Sequence, residues 1–401
     1  VDIDLSSSKK AVIEHLNHIY SVSSDEAKKA IALAKLSSDM IQKLEADRTE
    51  YEEFFTRSRQ LVFGTCVGIG GYHLNISKTH YDWVIIDEAA RSTASELAIA
   101  MQSGKRILLV GDHKQLPPLY KDHNKSKLAM ELGVTTKDID FNKIYQSDFA
   151  RLFESPYGKQ NGVTLTTQYR MAPEIGDLVS DVFYDGKLKN GNRHIPNIYQ
   201  TAPIAFNSAV TWVDTSTLGS RSYHQQQPRG TSLFNNSEAN IVIDLLKQAS
   251  EDSGFLASLS SIVKKDEPAL GVICMYAEQK RIIQQKFREH IWADEFKSLV
   301  KIDTVDSYQG KENRVIILSV TRCDESISAG FLSMPNRINV ALSRAMDRLI
   351  IVGSSTMWEK SNSDLPLGKS LDYIQSRSAH NNGYKVYGVN KDFSLMGDEN
   401  E

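Results

Sequence analysis

Apolar positions along the chain change their rhythm near residue 59. In residues 26–57, Leu33, Leu36, Met40, Leu44, Tyr51 and Phe54 recur at intervals of three, four or seven. Lys, Glu and Asp fill the positions between. That spacing predicts one amphipathic helix of about 30 residues, long enough for a stalk or hairpin arm, or for a plain packing helix. After Arg59 come short β-rich runs, each closed by a polar or glycine turn. Residues 61–63, 83–86 and 106–110 form a first series, with helical stretches between them. Residues 163–165, 211–213, 270–275, 301–304, 315–321 and 349–352 form a second. Continuous apolar strands alternating with helices predict α/β architecture, with parallel sheets covered on both faces. Helices are predicted over 238–248, 278–290 and 337–345, the first with Asn236 and Ser237 as N-caps. Residues 217–230 read as a surface loop, 383–401 as a mobile polar tail, and 120–162 as the place for a hinge. No internal repeat shows at a fixed period.

Composition narrows the class. A length of 401 residues exceeds one small core and suits two domains. With 41% hydrophobic and 24% charged residues the chain is ordinarily globular, which excludes disordered, collagen-like and disulfide-scaffold classes. The 47 basic and 50 acidic residues leave a net charge of -3, excluding a globally basic coat but not a local basic channel. Cys66, Cys274 and Cys323 lie far apart without zinc-type pairing, which points to a reducing interior compartment, cytoplasmic or nuclear. No apolar run approaches the roughly 20 residues of a membrane span, and no signal peptide opens the chain.

Five runs carry chemistry. In WVIIDEAA (83–90) an apolar strand ends in Asp87 and Glu88. A strand-end Asp can hold a divalent cation, and a neighbouring Glu can deprotonate a water. In ILLVGDHKQLPP (107–118) a second strand ends in Gly111 and Asp112, and Gln115 is suited to bridge a water or phosphate oxygen. Pro117 and Pro118 make a rigid apolar corner. In TTQYRM (166–171) Tyr169 offers a ring for stacking and Arg170 a guanidinium for phosphate. In TVDSYQGKENRVIILS (304–319) the hydroxyls of Thr304 and Ser307 suit a phosphate backbone, and Gln309, Gly310 and Glu312 form a tight turn. In NRINVALSRA (336–345) Arg337 and Arg344 stand seven apart, two helical turns, hence on one face. His80, His113 and His123 lack ligand periodicity and read as surface or loop residues, so an unrelated metal-dependent phosphohydrolase finds no histidine cluster.

In this order the runs resemble motifs II to VI of superfamily 1 helicases. They are most similar to the branch of the nonsense-mediated-decay RNA helicase, senataxin and the nuclease-helicase of Okazaki-fragment processing. FGTCVGIG (63–70), RGTSLFNNSEA (229–239) and MYAEQKRII (275–283) also match that branch. Arg91 departs from it, since many eukaryotic members carry Gln there; this leans toward a prokaryotic-like member. The resemblance spans residues 59–353 and implies two RecA-like P-loop NTPase domains. The implied layout is a helical stalk or insertion over 1–58, part of the first domain over 59–155, the second over 156–360 and a C-terminal extension over 361–401. It implies ATP and Mg2+ as cofactors and single-stranded DNA or RNA as partner, with 5′-to-3′ movement. By position, Asp87 would hold Mg2+ and Glu88 would be the catalytic base. Gln115 would sense the γ-phosphate, Arg170 and Arg344 would be arginine fingers, and Tyr169 would stack on adenine. Glu312, with Gly310 and Arg337, would contact the nucleotide. Thr65, Pro117, Thr304 and Ser307 would line the strand track.

Motif I, a G-x-x-x-x-G-K-[ST] loop ahead of these runs, is absent from the 401 residues. Gly368-Lys369-Ser370 has Ser363 where the first glycine should stand and lies beyond motif VI; Gly104-Lys105-Arg106 lacks the hydroxyl. The chain begins at Val1, and the expectation is the C-terminal part of a longer motor, inactive alone. The alternatives are a nucleic-acid-binding clamp derived from a motor, and a P-loop supplied by an upstream segment or another subunit.

Overall fold

The computed structural model describes residues 5–45, 51–71, 74–118, 125–136, 146–227, 230–264 and 267–396. Contacts divide the chain into one unit of Val1–Gly111 with Tyr120–Phe149, and another of Asp112–Leu119 with Ala150–Glu401.

The first unit opens with helices α1 (Leu5–Tyr20), α2 (Ser24–Glu45) and α3 (Tyr51–Ser58). Of the single helix predicted over 26–57, residues 26–45 and 51–57 are helical. Ser21 turns the chain at positive φ, and Ser23 and Glu26 form a reciprocal cap that starts α2. Residues 46–50, between α2 and α3, lie outside the described residues. Strand β1 (Tyr81–Ile86) runs parallel to β2 (Gly104–Leu109), with Ile86 opposite Leu109. The crossover is α4 (Ala94–Met101), started by a capping box of Thr93 and Glu96. One face of this pair buries Ile86 and half-buries Val84, Ile107 and Leu109; on the other, Trp83, Ile85, Leu108 and Val110 are exposed. Residues 61–63 enter no β-ladder, and Leu61 and Phe63 are exposed, because a strand exists only by pairing.

The second unit is built on a wholly parallel six-stranded sheet. Ahead of it, β3 (Thr167–Gln168) pairs with β4 (Lys189–Asn190), and α5 (Pro173–Tyr184) lies between them. The predicted strand over 163–165 is absent; Val163 and Leu165 are exposed, and the ladder starts at Thr167. Strand β5 (Val210–Asp214) follows. Residues 217–230 are less loop-like than expected: Ser216–Ser222 makes two short helical turns either side of a kink at Gly219, and β6 (Gln225–Gln226) pairs with β7 (Leu233–Phe234). Arg229, which opens the run matched at 229–239, lies outside the described residues. Next come α6 (Asn236–Glu251), β8 (Leu270–Cys274), α7 (Ala277–Glu289), β9 (Val300–Thr304), β10 (Asn313–Ser319), α8 (Pro335–Ser343), β11 (Ala345–Gly353), α9 (Pro366–Ser378) and β12 (Tyr384–Gly388). The N-cap of α6 is Asn235, whose side chain accepts from the Glu238 N–H; Asn236 and Ser237 are already helical.

The sheet order is β12-β5-β11-β10-β8-β9. Its central strands are apolar on both faces, as buried parallel strands must be. Ile316, Leu318, Leu349 and Ile351 pack with α5, α8 and α9. Val315, Ile317, Ile350 and Val352 pack with α6 and Ile283 of α7 on the other side. The predicted mobile tail is corrected at its start. Tyr384–Gly388 pairs along the whole of β5, and Tyr384 is buried, because the edge of β5 offers a ladder and α9 offers a floor. Residues 397–401 lie outside the described residues.

Candidate functional site

In the first unit, Asp87 and Glu88 follow β1 directly. The Glu88 N–H donates to Asp87 Oδ1 at 2.8 Å, and Glu88 takes a left-handed φ of 53°. Such backbone is unusual away from glycine and clusters at functional sites. The Ala89 N–H then donates to Val110 O at 2.8 Å. This ties the acidic turn to the end of β2. Gly111 is required there: a Cβ would sit 2.9 Å from the Ala90 nitrogen. Thr65 caps a short helix, Cys66–Ile69, by accepting the Gly68 N–H at 3.0 Å.

In the second unit the loop 112–118 is gripped by α8. Asn336 Nδ2 donates to Gln115 O at 2.6 Å and to His113 O at 3.3 Å. Asn339 Nδ2 donates to Lys114 O at 3.0 Å. Arg344, at the end of α8 and only 2% exposed, donates from Nη2 to Gln115 Oε1 at 3.2 Å. Its Nε donates to Val340 O at 3.3 Å and its Nη1 to Lys311 O at 3.4 Å. Arg170, which follows β3, pairs through Nε with Glu312 and donates from Nη1 to Ser343 O at 3.5 Å. Gln115, Arg344, Arg170 and Glu312 thus converge on one end of α8. The Tyr169 ring is exposed and lies against Gly191, where a Cβ would come within 2.2 Å of it. Pro117 belongs to the same loop and is half-buried.

The turn after β9 groups another set. Thr304 Oγ1 donates to Ser307 Oγ at 3.2 Å. Gly310 takes a φ of +77°, and Lys311 Nζ donates to Ser307 O at 2.8 Å. Arg337 joins this group rather than Arg344. Its Nε lies 3.4 Å from Asp306 Oδ1 and its guanidinium 5.0 Å from the Phe331 ring. Helical spacing alone put the two arginines on one face; α8 ends at Ser343, one residue before Arg344.

Sequence reasoning missed several participants. Asn336 and Asn339 stand three apart on the helix of the fifth run, where polar amides on a largely apolar helix were the available signal. Tyr184 and Arg193 lie outside every matched run. Tyr184 donates to Asp112 Oδ2, and burial, then the Asp112 carboxylate, push its phenol above the ordinary range. Arg193 donates to the carbonyls of Arg170 and Met346 and pairs with Asp347.

A model described as "AAA domain" matches residues 144–356, and a second of the same description matches 3–123. The regulator of nonsense transcripts 1 homolog of Neurospora crassa is 30% identical over 327 residues, covering 80% of this chain and 26% of that protein. ATP-dependent helicase NAM7 of Saccharomyces cerevisiae is 30% identical over 308 residues, covering 73% of this chain and 28% of that protein. The DNA replication ATP-dependent helicase/nuclease DNA2 of the same yeast is 27% identical over 326 residues, covering 76% of this chain and 19% of that protein. The chain thus spans between 19% and 28% of the length of these relatives.

Proposed function

We propose that this chain, which belongs to the AAA-domain helicases of superfamily 1 in the branch of the nonsense-mediated-decay RNA helicase, is the C-terminal part of an ATP-dependent nucleic-acid helicase or translocase. The observation that carries the reading is the convergence of Gln115, Arg170, Arg344 and Glu312 at the end of α8. Phosphoryl transfer needs positioned donors and cations where charge develops. Arg344 and Arg170 supply the cations, and Gln115 supplies a buttressed amide. Glu312 holds Arg170 by an ion pair that a phosphate would compete for. Tyr169 presents an exposed ring suited to stack on a base.

The first unit supplies the acid–base pair. Glu88 takes the proton of the attacking water, and Asp87 would hold the metal. Among the described residues no group of three His, Cys, Asp or Glu could hold an ion. The adjacent carboxylates Asp87 and Glu88 after β1 fit Mg2+, commonly held by one or two carboxylates together with substrate phosphates. Bound there, Mg2+ would neutralise charge on the phosphates. Because the acidic pair and the arginines belong to different units, hydrolysis requires both, and that dependence is what would couple turnover to movement. Thr304 and Ser307, with Thr65 and Pro117, are the proposed grip on a single strand, and the movement is 5′-to-3′.

The missing phosphate loop is proposed to come from an upstream segment or another subunit. The exposed apolar face of β1 and β2 supports this, since a parallel pair is stable only when further strands and helices cover it. The absence of a G-x-x-x-x-G-K-[ST] run favours a second reading, a clamp that binds a strand without hydrolysis.

ATP hydrolysis by the longest natural polypeptide containing these residues, with and without single-stranded DNA and RNA, separates the two. The motor reading expects strand-stimulated turnover that Glu88→Gln lowers by at least about 100-fold. Strand binding without turnover, or turnover unaffected by Glu88→Gln, would sink it.

A further inference from the structure

We propose that Tyr184 and Asp112 are positioning residues that clasp the side chain of Gln115, holding its amide oxygen toward Arg344. The inference rests on the reading of Gln115 and Arg344 as phosphate-facing groups, and assigns roles to two residues that reading leaves unused. Gln115 Nε2 donates to Asp112 Oδ2 at 2.8 Å, and Gln115 Oε1 accepts from Arg344 Nη2 at 3.2 Å. A carboxylate only accepts and a guanidinium only donates, so the amide has one permitted orientation. Reversed, it would set an oxygen against Asp112 and an N–H against Arg344.

Asp112 is itself held. Its Oδ1 accepts the Lys114 N–H at 2.9 Å, and its Oδ2 accepts the Tyr184 hydroxyl. Tyr184 in turn accepts from Asn339 Nδ2 at 2.9 Å. The phenol stays protonated, because burial and the adjacent carboxylate both disfavour its ionised form. The result is a directed chain, Asn339 to Tyr184 to Asp112, with Gln115 donating into the same carboxylate oxygen. Removing the Tyr184 hydroxyl leaves that oxygen with Gln115 as its remaining side-chain donor. The carboxylate then keeps the Lys114 N–H and Gln115 but not the phenol, the amide can reverse, and Arg344 Nη2 loses the Gln115 oxygen. The ring itself packs on the core beside α8 and survives the loss of the hydroxyl.

The test uses the longest natural polypeptide with Tyr184→Phe, Asp112→Asn and the double variant. Two quantities are read: strand-stimulated ATP turnover, and hydrogen exchange of residues 112–118. Tyr184→Phe is expected to lower kcat roughly tenfold, with KM for ATP within about twofold, and to speed exchange in 112–118 alone. The double variant should be no worse than Asp112→Asn, since both act through one oxygen. Unchanged kcat in Tyr184→Phe beside an active parent overturns the proposal, as does unchanged exchange at 112–118. If the parent shows no turnover, the helicase reading fails on its own. Faster exchange confined to 112–118 then still supports the clasp, and unchanged exchange still overturns it.

Discussion

Arg193 ties the two arginine-bearing segments together by their backbones. Its guanidinium donates to the carbonyls of Arg170 and Met346 and pairs with Asp347. Asp347 is fully buried and also accepts from Tyr199 at 3.0 Å and Arg314 at 3.4 Å. Arg193→Gln would leave that carboxylate short of one cation, and deleting one partner of a buried pair costs about 3 kcal/mol. Denaturant midpoints of parent and variant read the loss directly; a difference under about 0.5 kcal/mol would count against this account. At this scale the sequence was partly legible. Arg170, Arg344 and Gln115 stand in recognisable runs because their chemistry needs neighbours at fixed spacing. Arg193 and Tyr184 act on those runs from 23 and 72 residues away, where no spacing rule operates.

Among the elements, α6 shows how a helix start is fastened to a sheet. Asn235 caps it through the Glu238 N–H, and Glu238 reaches on to the end of β10. Glu238 Oε2 accepts from Ser319 Oγ and from the Thr321 N–H, both at 2.7 Å. Burial dominates the ionisation of Glu238: it pushes the carboxyl from its ordinary 4.5 up to about 8, against the pull of those hydrogen bonds. A group with a raised folded-state value binds its proton more readily in the native state than in the unfolded chain. Its stabilisation is therefore full below about pH 4.5 and is lost as pH rises through 8. Glu238→Gln keeps an acceptor for Ser319 and Thr321 and cannot ionise. Its stability should fall less between pH 5 and pH 9 than that of the parent, read from denaturant midpoints across that range. Parallel curves would reject the assignment. The central strands were legible because both faces are buried and the runs are uniformly apolar. The N-cap and β12 were not, since an asparagine pair leaves the cap position open by one residue and β12 is a five-residue run at the head of a largely polar stretch, fixed as a strand by its pairing with β5.

The two units differ as whole bodies. The second has six parallel strands with apolar helices on both faces. Among the described residues, the first has a two-stranded parallel pair with Trp83, Ile85, Leu108 and Val110 exposed. A fragment of residues 150–401 should unfold cooperatively by itself, and one of residues 1–149 should show no sharp thermal transition. Circular dichroism melts of the two fragments check both halves of that expectation. A sharp melt of the shorter fragment would mean that the uncovered face needs no further strand.

The sequence by itself determined the family, the order of the reactive residues, the α/β character and five of the six strands of the central sheet. Each of these follows from local chemistry: apolar runs must be buried, and paired carboxylates, arginines and amides occur at short fixed spacings. The tertiary structure alone decided that Asp112–Leu119 groups with the second unit, that Arg337 and Arg344 take different partners, and that Tyr184 and Arg193 stand behind the reactive side chains. These are contacts between residues distant in sequence, and their partners are chosen by which surfaces the fold brings together, a quantity that no local pattern encodes.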